Sequence, residues 1–173
     1  MLFRRNSDLK VNLEKLRVVF GHSFCKSITS GAFFLSQFED AKDFYGWVDF
    51  FDNDDRACAA LPFLISEEVD GIGFALACDF LKEVGYIKFG KPDVHIKAIF
   101  KGLGLYNPRD NDYKVFKAIV RVANNVGVSP YNVDKLFWLV GSGNFYDEVD
   151  KDGKTLKIPT KRDEFINNSI KLI

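Results

Sequence analysis

The residues best suited to chemistry are Asp93 and His95, in the segment Lys91-Pro92-Asp93-Val94-His95. An aspartate can stabilise positive charge that develops on a reacting group, or orient a water molecule for attack. An aspartate that follows a proline and precedes a helix is also an ordinary N-cap, so both roles are open for Asp93. For His95 the alternatives are a packed, partly buried position and a contact with phosphate or with Asp93.

A glycine-containing turn, Gly71-Ile72-Gly73, lies about twenty residues before Asp93. Glycine allows positive φ and close backbone approach. The amides at the start of the helix that follows, from Phe74, can then face an anion such as a phosphate. The turn is therefore a candidate contact for a nucleic-acid backbone. Three acids lie beside it and oppose tight DNA binding there: Glu67, Glu68 and Asp70.

The pattern Val69-Asp70-Gly71-Ile72-Gly73 followed by Asp93-Val94-His95 resembles the helix-hairpin-helix (HhH-GPD) DNA glycosylase superfamily of base-excision repair. Residues 133–142 are similar to a helix found in some branches, so the resemblance covers roughly residues 66–142. It implies a two-lobed helical fold, an active site in the cleft between lobes and Asp93 as the catalytic residue. It also implies Trp138 as a candidate pocket residue. The DNA contacts that it implies are Gly71, Ile72, Gly73, Phe74, Lys91 and His95.

The chain departs from that family at its nucleophile and its cysteines. Bifunctional members carry a lysine two residues after the second hairpin glycine, where this chain has Ala75, so no Schiff-base chemistry is expected. The three cysteines, Cys25, Cys58 and Cys78, exclude the four-cysteine iron-sulfur loop of some members. They also provide neither a disulfide framework nor a zinc site. We therefore expect no cofactor and no metal.

Composition indicates a globular protein with balanced charge. The chain has 173 residues, 47% of them hydrophobic, eighteen phenylalanines and a net charge of zero. Strong nonspecific DNA binders are usually basic, so a net charge of zero is not typical of them. The charges are unevenly distributed, however: residues 1–26 carry six cations against two acids, and residues 39–55 carry seven acids. Without a long apolar run or a signal-peptide core, we expect an intracellular monomer, in cytoplasm or nucleoid, with no membrane partner.

Helical periodicity predicts the elements that would position these residues. Apolar residues at 74, 77, 78, 81 and 84 predict a helix that ends at Gly85. We expect the helix-hairpin-helix at about residues 62–85 and the helix carrying Asp93 and His95 at about 93–103. The chain is thus predicted to be all-α, a single compact unit over residues 1–173 made of two helical lobes, with a small C-terminal β-hairpin as an optional element.

Further helices are predicted on both sides of this region. A first helix carries the stripe Leu9, Leu13, Leu16 and Phe20, and a connection follows over residues 22–31. One long aromatic helix is predicted over residues 33–51, and a short helix over 57–64 with a break or bend at Pro62. Two later helices are predicted, one over 111–126 and one that starts at Ser129-Pro130. The aromatic stripe either forms core or walls a pocket for a flipped base. On the last helix, Asp134 is expected in the first turn, where it favours the dipole. Trp138 either packs between the lobes or faces a pocket.

The C-terminal segment is predicted to form a hairpin and a final helix. Asp152-Gly153 is a favourable turn between two short apolar stretches. Counted as a calcium loop from Glu148, the twelfth position is Pro159 and not a glutamate, so a calcium site is rejected. Thr160 with Asp163 can cap the helix that follows.

Two functions fit the sequence. The first is a monofunctional DNA N-glycosylase that acts on double-stranded DNA, hydrolyses the bond to a damaged base with Asp93 and leaves an abasic site. The second is a non-catalytic DNA-binding or protein-interaction module on the same scaffold. Neutral net charge, Asp70 in the hairpin and the missing lysine favour the second, and the hairpin-to-Asp93 spacing favours the first.

Overall fold

The computed structural model describes residues 22–157 and 161–172, which form eight helices and one two-stranded antiparallel hairpin. The predicted all-α class is confirmed. The predicted first helix and the proposed cap at Thr160 lie outside the described residues. In the part of the chain that is described, no helix has the length and apolar character needed to cross a membrane. The chain divides into two compact units, Met1–Ala77 and Cys78–Ile173.

In its described residues, 22–77, the first unit contains three complete helices and the start of a fourth. They are α1 (His22–Leu35), α2 (Ala41–Asp52), α3 (Ala60–Glu68) and α4 (Phe74–Glu83). The predictions of a connection over 22–31 and of one long helix over 33–51 were wrong. The chain is helical from His22, breaks after Leu35 and begins a new helix at Ala41.

Local hydrogen bonds explain the break between α1 and α2. Asp40 is the N-cap of α2, and its side chain accepts a hydrogen bond of 2.9 Å from the backbone N–H of Asp43. An N-cap residue satisfies an amide that has no partner inside the helix, so it favours a helix start at that position. The aromatic side chains continue across the break and pack edge to face, as Phe34 with Phe38 and Phe38 with Phe44 show at 5.5 and 5.2 Å between ring centroids.

The turn between α3 and α4 occupies residues 69–73. Gly71 has φ of 78°, in the left-handed region that favours glycine. The Ile72 N–H donates to the Val69 carbonyl, and the Asp70 N–H donates to the Ser30 hydroxyl at 2.9 Å, which ties the turn to α1. Pro62 lies in the first turn of α3, where no intrahelical donor is needed, so it does not break the helix.

The second unit contains the rest of α4 and all later elements. They are α5 (Val94–Gly102), α6 (Asp112–Val126), α7 (Pro130–Ser142), β1 (Asn144–Val149), β2 (Thr155–Lys157) and α8 (Arg162–Ile170). Fully buried side chains of α5 and α6 form its core with residues of α7: Ile96, Ile99, Phe100, Val115, Ile119, Val133 and Phe137. A Cβ at Gly102 would lie 2.7 Å from the Ile166 side chain, so glycine allows α8 to approach α5 closely.

Capping residues fix both ends of α6 and the start of α7 where the sequence predicts them. The Asn111 side chain accepts from the Lys114 N–H, and Gly127 ends α6 with φ of 71°. Ser129 caps α7, with Pro130 at the first helical position. The predicted hairpin is also present, with β1 antiparallel to β2 and Gly153 at φ of 75°. In its turn, Asp150 Oδ1 accepts backbone N–H groups at 2.9 Å, so this carboxylate stabilises the turn.

Candidate functional site

Asp93 is the N-cap of α5, as the Pro92-Asp93 sequence predicts. Its Oδ1 accepts hydrogen bonds of 2.9 Å from the backbone N–H groups of His95 and Ile96. Among residues 22–157 and 161–172, Oδ2 of Asp93 has no hydrogen-bond donor. The carboxylate is half-buried, so one oxygen is held by the helix start and the other is available to a water molecule or a cation.

His95 lies in the contact between α5 and α7. Its ring is edge-to-face with Trp138, at 6.5 Å between centroids. A Cβ at Gly141 would lie 2.6 Å from the His95 Cβ, so the glycine allows this close approach of the two helices. The structure therefore brings His95 and Trp138 together and gives His95 a packing role; a phosphate contact remains a prediction.

A cleft of about 510 Å³, open to solvent, lies beside this contact. The Trp138 and Tyr131 side chains form its aromatic wall. Three lysines and three acids form the charged wall: Lys82, Lys91, Lys135, Asp79, Glu83 and Asp134. Asp93 does not line the cleft but lies two residues beyond Lys91, which does. Aromatic faces next to balanced charges suit a planar polar molecule better than a strongly charged one.

Buried charges organise the floor of the cleft. Lys82 and Asp134 have side chains that are only 3% and 2% exposed, and Nζ of Lys82 lies 2.7 Å from Oδ2 of Asp134. Lys82 also contacts Asp79 at 2.8 Å, and Asp79 contacts the Lys91 ammonium at 2.9 Å. The Lys91 side chain, predicted to bind DNA, is thus already engaged in an ion pair. Since isolated charges are costly to bury, this network depends on its complete pairing.

Asp134 has a different role from the predicted one. It is the fifth residue of α7 and not part of its first turn, and its buried carboxylate pairs with a lysine 52 positions earlier in the chain. The interaction with the helix dipole that the sequence predicted is therefore wrong, because burial and a direct cation determine the surroundings of this carboxylate.

Burial and pairing shift the acidities of this network in different directions. Burial lowers the pKa of Lys82, but the hydrogen bonds from its ammonium to Asp134 and Asp79 outweigh that effect and raise its pKa above the ordinary value. Burial raises the pKa of the Asp134 carboxyl, and Lys82 offsets part of this increase. Pairing therefore favours the charged form of Lys82, whereas burial disfavours the charged form of Asp134.

The Asp79 carboxyl should make stability depend on acid pH. Burial raises its pKa, but the ammonium groups of Lys82 and Lys91 outweigh burial and hold the pKa below its ordinary value of 3.8. A lowered carboxyl pKa contributes stability above 3.8, and this contribution is lost as pH falls through the folded-state pKa. The pKa of the Asp134 carboxyl is raised, so its contribution to stability has the opposite pH dependence and is more favourable at acid pH than at neutral pH.

We therefore expect the difference in free energy of unfolding between the wild type and Asp79→Asn to be largest near neutral pH and to shrink below about pH 4. Urea unfolding at a series of pH values from 7 to 2 measures this difference. A difference that stays constant over the whole range would show that Asp79 is not a source of the acid sensitivity.

The four hairpin residues predicted to bind DNA lie in the first unit. Gly71 and Gly73 are exposed, so their backbone is accessible, and a Cβ at Gly73 would meet no atom within 4 Å. The Ile72 N–H is used within the turn, and the Phe74 ring is buried against Phe63 at 4.6 Å. The accessible backbone is thus that of the glycines. The three neighbouring acids are all exposed: Glu67, Glu68 and Asp70.

Comparisons of the chain with family models, with curated proteins and with solved structures find no match. Function must therefore be inferred from the residues and their geometry.

Proposed function

We propose that the chain is a monofunctional DNA N-glycosylase, which removes a damaged base by hydrolysis and leaves an abasic site. The observation that carries the proposal is the order of elements: a helix, a glycine turn, a second helix, and then a helix capped by Asp93. This order agrees with the spacing on which the resemblance to the helix-hairpin-helix glycosylases rests. Asp93 acts through its Oδ2, which has no donor among the described residues.

In the proposed reaction water adds to the anomeric carbon as the bond to the base breaks, and the proton that the water loses passes to the departing base. The Asp93 carboxylate is not consumed. As the bond between base and sugar breaks, positive charge develops on the deoxyribose, and a nearby carboxylate lowers the energy of that state. The same oxygen can orient a water molecule toward the anomeric carbon. The two amide hydrogen bonds at Oδ1 fix the carboxyl group before the substrate binds, so no free energy is needed to orient it during the reaction.

The charges in the cleft also support hydrolysis without a covalent amine intermediate. An amine nucleophile must lose its proton, and burial alone would help Lys82 to do so. Its two carboxylate partners instead raise its pKa and stabilise the ammonium. With Ala75 at the family's nucleophile position, we expect no trapping of the chain on abasic DNA by borohydride.

Asp93→Asn provides a selective test. Asparagine caps a helix about as well as aspartate, so the variant should fold, but it lacks the negative charge that the reaction needs. We expect the wild type to release a base from at least one damaged duplex oligonucleotide in a panel, detected as alkali-labile sites, and Asp93→Asn to lose at least about 10²-fold of that rate.

Asp93→Ala serves as the matched control for the cap and should be about 1 kcal/mol less stable than Asp93→Asn. Equal rates for the wild type and Asp93→Asn would refute the catalytic role of Asp93. No release from any duplex by the folded wild type would refute the glycosylase proposal.

A second function is favoured by the charges around the hairpin and the cleft. Exposed acids surround the glycine turn, and the three cleft lysines are each near a carboxylate, Lys135 at 3.6 Å from Glu83. A non-catalytic module on the same scaffold would then bind DNA weakly, with strong salt dependence, or would bind a protein. This alternative predicts no base release from any duplex in the panel.

A further inference from the structure

We propose that Asp134, held by Lys82, is the positioning residue for Asp93. The proposal rests on the proposed glycosylase function. Asp134 does not touch the reacting atoms in this scheme. It acts by holding the backbone of the segment that leads to Asp93 at the start of α5. Asp134 performs this role through its acceptor oxygen more than through its charge.

The carboxylate of Asp134 joins two parts of the second unit at a single oxygen. Its Oδ2 accepts from Nζ of Lys82 at 2.7 Å and from the backbone N–H of Lys91 at 3.1 Å. Lys91 is two residues before Asp93, with the buried, conformationally restricted Pro92 between them. A fixed Lys91 amide therefore limits the positions that the Asp93 backbone can take.

The rest of the connecting segment is held against the same helix. The Tyr131 N–H of α7 donates to the Ile87 carbonyl at 3.0 Å. At Gly90 a Cβ would lie 3.0 Å from the Pro130 carbonyl oxygen and 2.7 Å from Ile119, so this glycine allows the segment to lie directly on α7. The Phe89 side chain is fully buried. Asp134 adds a hydrogen bond from this segment to α7 at Lys91, two residues before Asp93.

Burial explains why this one hydrogen bond can matter for the position of a catalytic group. Asp134 is 1% exposed, so water cannot readily replace it as the acceptor for the Lys91 N–H. Lys82 in turn fixes the carboxylate from the side of α4. Loss of the acceptor would let Lys91, Pro92 and Asp93 shift together, and displacements of about 1 Å can cost about 10²-fold in rate.

Two double variants separate the acceptor from the charge. Lys82→Met/Asp134→Leu removes both buried charges, which usually preserves folding, and Asp79 keeps the Lys91 ammonium as its partner. It leaves the Lys91 backbone N–H without its acceptor. Lys82→Met/Asp134→Asn removes the same charges but retains a carbonyl oxygen that can accept from Lys91. Both are compared with the full-length wild type, with thermal unfolding as the control for folding.

We expect the leucine variant to exchange the Lys91 amide proton faster by about tenfold or more, because the hydrogen bond from this N–H to Asp134 is lost. Its kcat for base release should fall by about 10²-fold with a smaller change in KM, because the hairpin residues proposed to contact DNA are unaltered. The asparagine variant should recover most of both properties.

The outcomes distinguish this proposal from the proposed function. No base release by the wild type overturns the glycosylase function and the positioning role with it. An active wild type accompanied by an equally active leucine variant overturns the positioning role alone, as does unchanged exchange of the Lys91 amide. Equal losses in both double variants would also overturn it, because the charge and not the acceptor would then be responsible.

Discussion

We expect Lys82→Met to lower the free energy of unfolding by about 3–5 kcal/mol. The substitution leaves the Asp134 carboxylate in the protein interior, where it is 1% exposed, without its direct cation at 2.7 Å. Methionine has nearly the same length as lysine, so the loss should reflect the cation removed from Asp134 and Asp79 and not a cavity. Equilibrium urea unfolding followed by circular dichroism measures the effect.

The double variant Lys82→Met/Asp134→Leu is the matched control. Replacement of a whole buried ion pair by apolar side chains of similar size is often neutral or stabilising, so part of the lost stability should return. The Lys91 N–H, which loses its acceptor in this variant, limits the recovery. If Lys82→Met alone changes the free energy of unfolding by less than about 1 kcal/mol, the ion pair is not buried as the structure has it.

The elements that depend on local signals could be predicted from the sequence. The helix α6 begins after Asn111 and ends before Gly127, and both caps are made by residues within a few positions of the helix end. The same holds for Ser129-Pro130 at α7 and for Asp152-Gly153 in the hairpin. Such signals are readable because the interacting groups are neighbours in the chain.

The boundary between α1 and α2 was missed although a local signal was present. Asp40 followed by Asp43 marks an N-cap and an acidic first turn. The aromatic stripe obscured this signal, because Phe34, Phe38 and Phe44 remain in contact when the chain turns between the two helices. Periodicity reports which side chains are buried together and does not by itself show that one helix carries them.

The candidate site was predictable only in part, because local signals can be read from the sequence and contacts between distant residues cannot. The capping position of Asp93 follows from Pro92-Asp93, whereas the contact of Lys82 with Asp134 joins residues 52 positions apart. A signal did exist: Lys82 follows Cys78 by four positions and Asp134 precedes Phe137 by three, so each charge lies beside an apolar helix face. Charges on two apolar faces indicate a buried pair, but they do not identify the partners.

Phe100→Ala should destabilise the second unit by about 3–5 kcal/mol. Phe100 is fully buried on α5, and its ring lies edge-to-face with Phe137 of α7 at 5.5 Å between centroids. Phe137 in turn contacts Phe165 of α8 at 5.8 Å. Truncation leaves a cavity that only partial collapse can fill, and it removes an aromatic pair as well as apolar burial. Thermal and urea unfolding measure the loss.

Phe33→Ala makes the same chemical change on α1, where the side chain is 70% exposed, and should alter the free energy of unfolding by no more than about 0.5 kcal/mol.

The effect of Phe100→Ala should also reach α8 through Phe137, so amide exchange in α8 should become faster than in the wild type. Equal stabilities for the two alanine variants would contradict the burial of Phe100 in the core of the second unit. Faster exchange in α8 alone would mean that Phe100 holds that helix without supporting the rest of the unit.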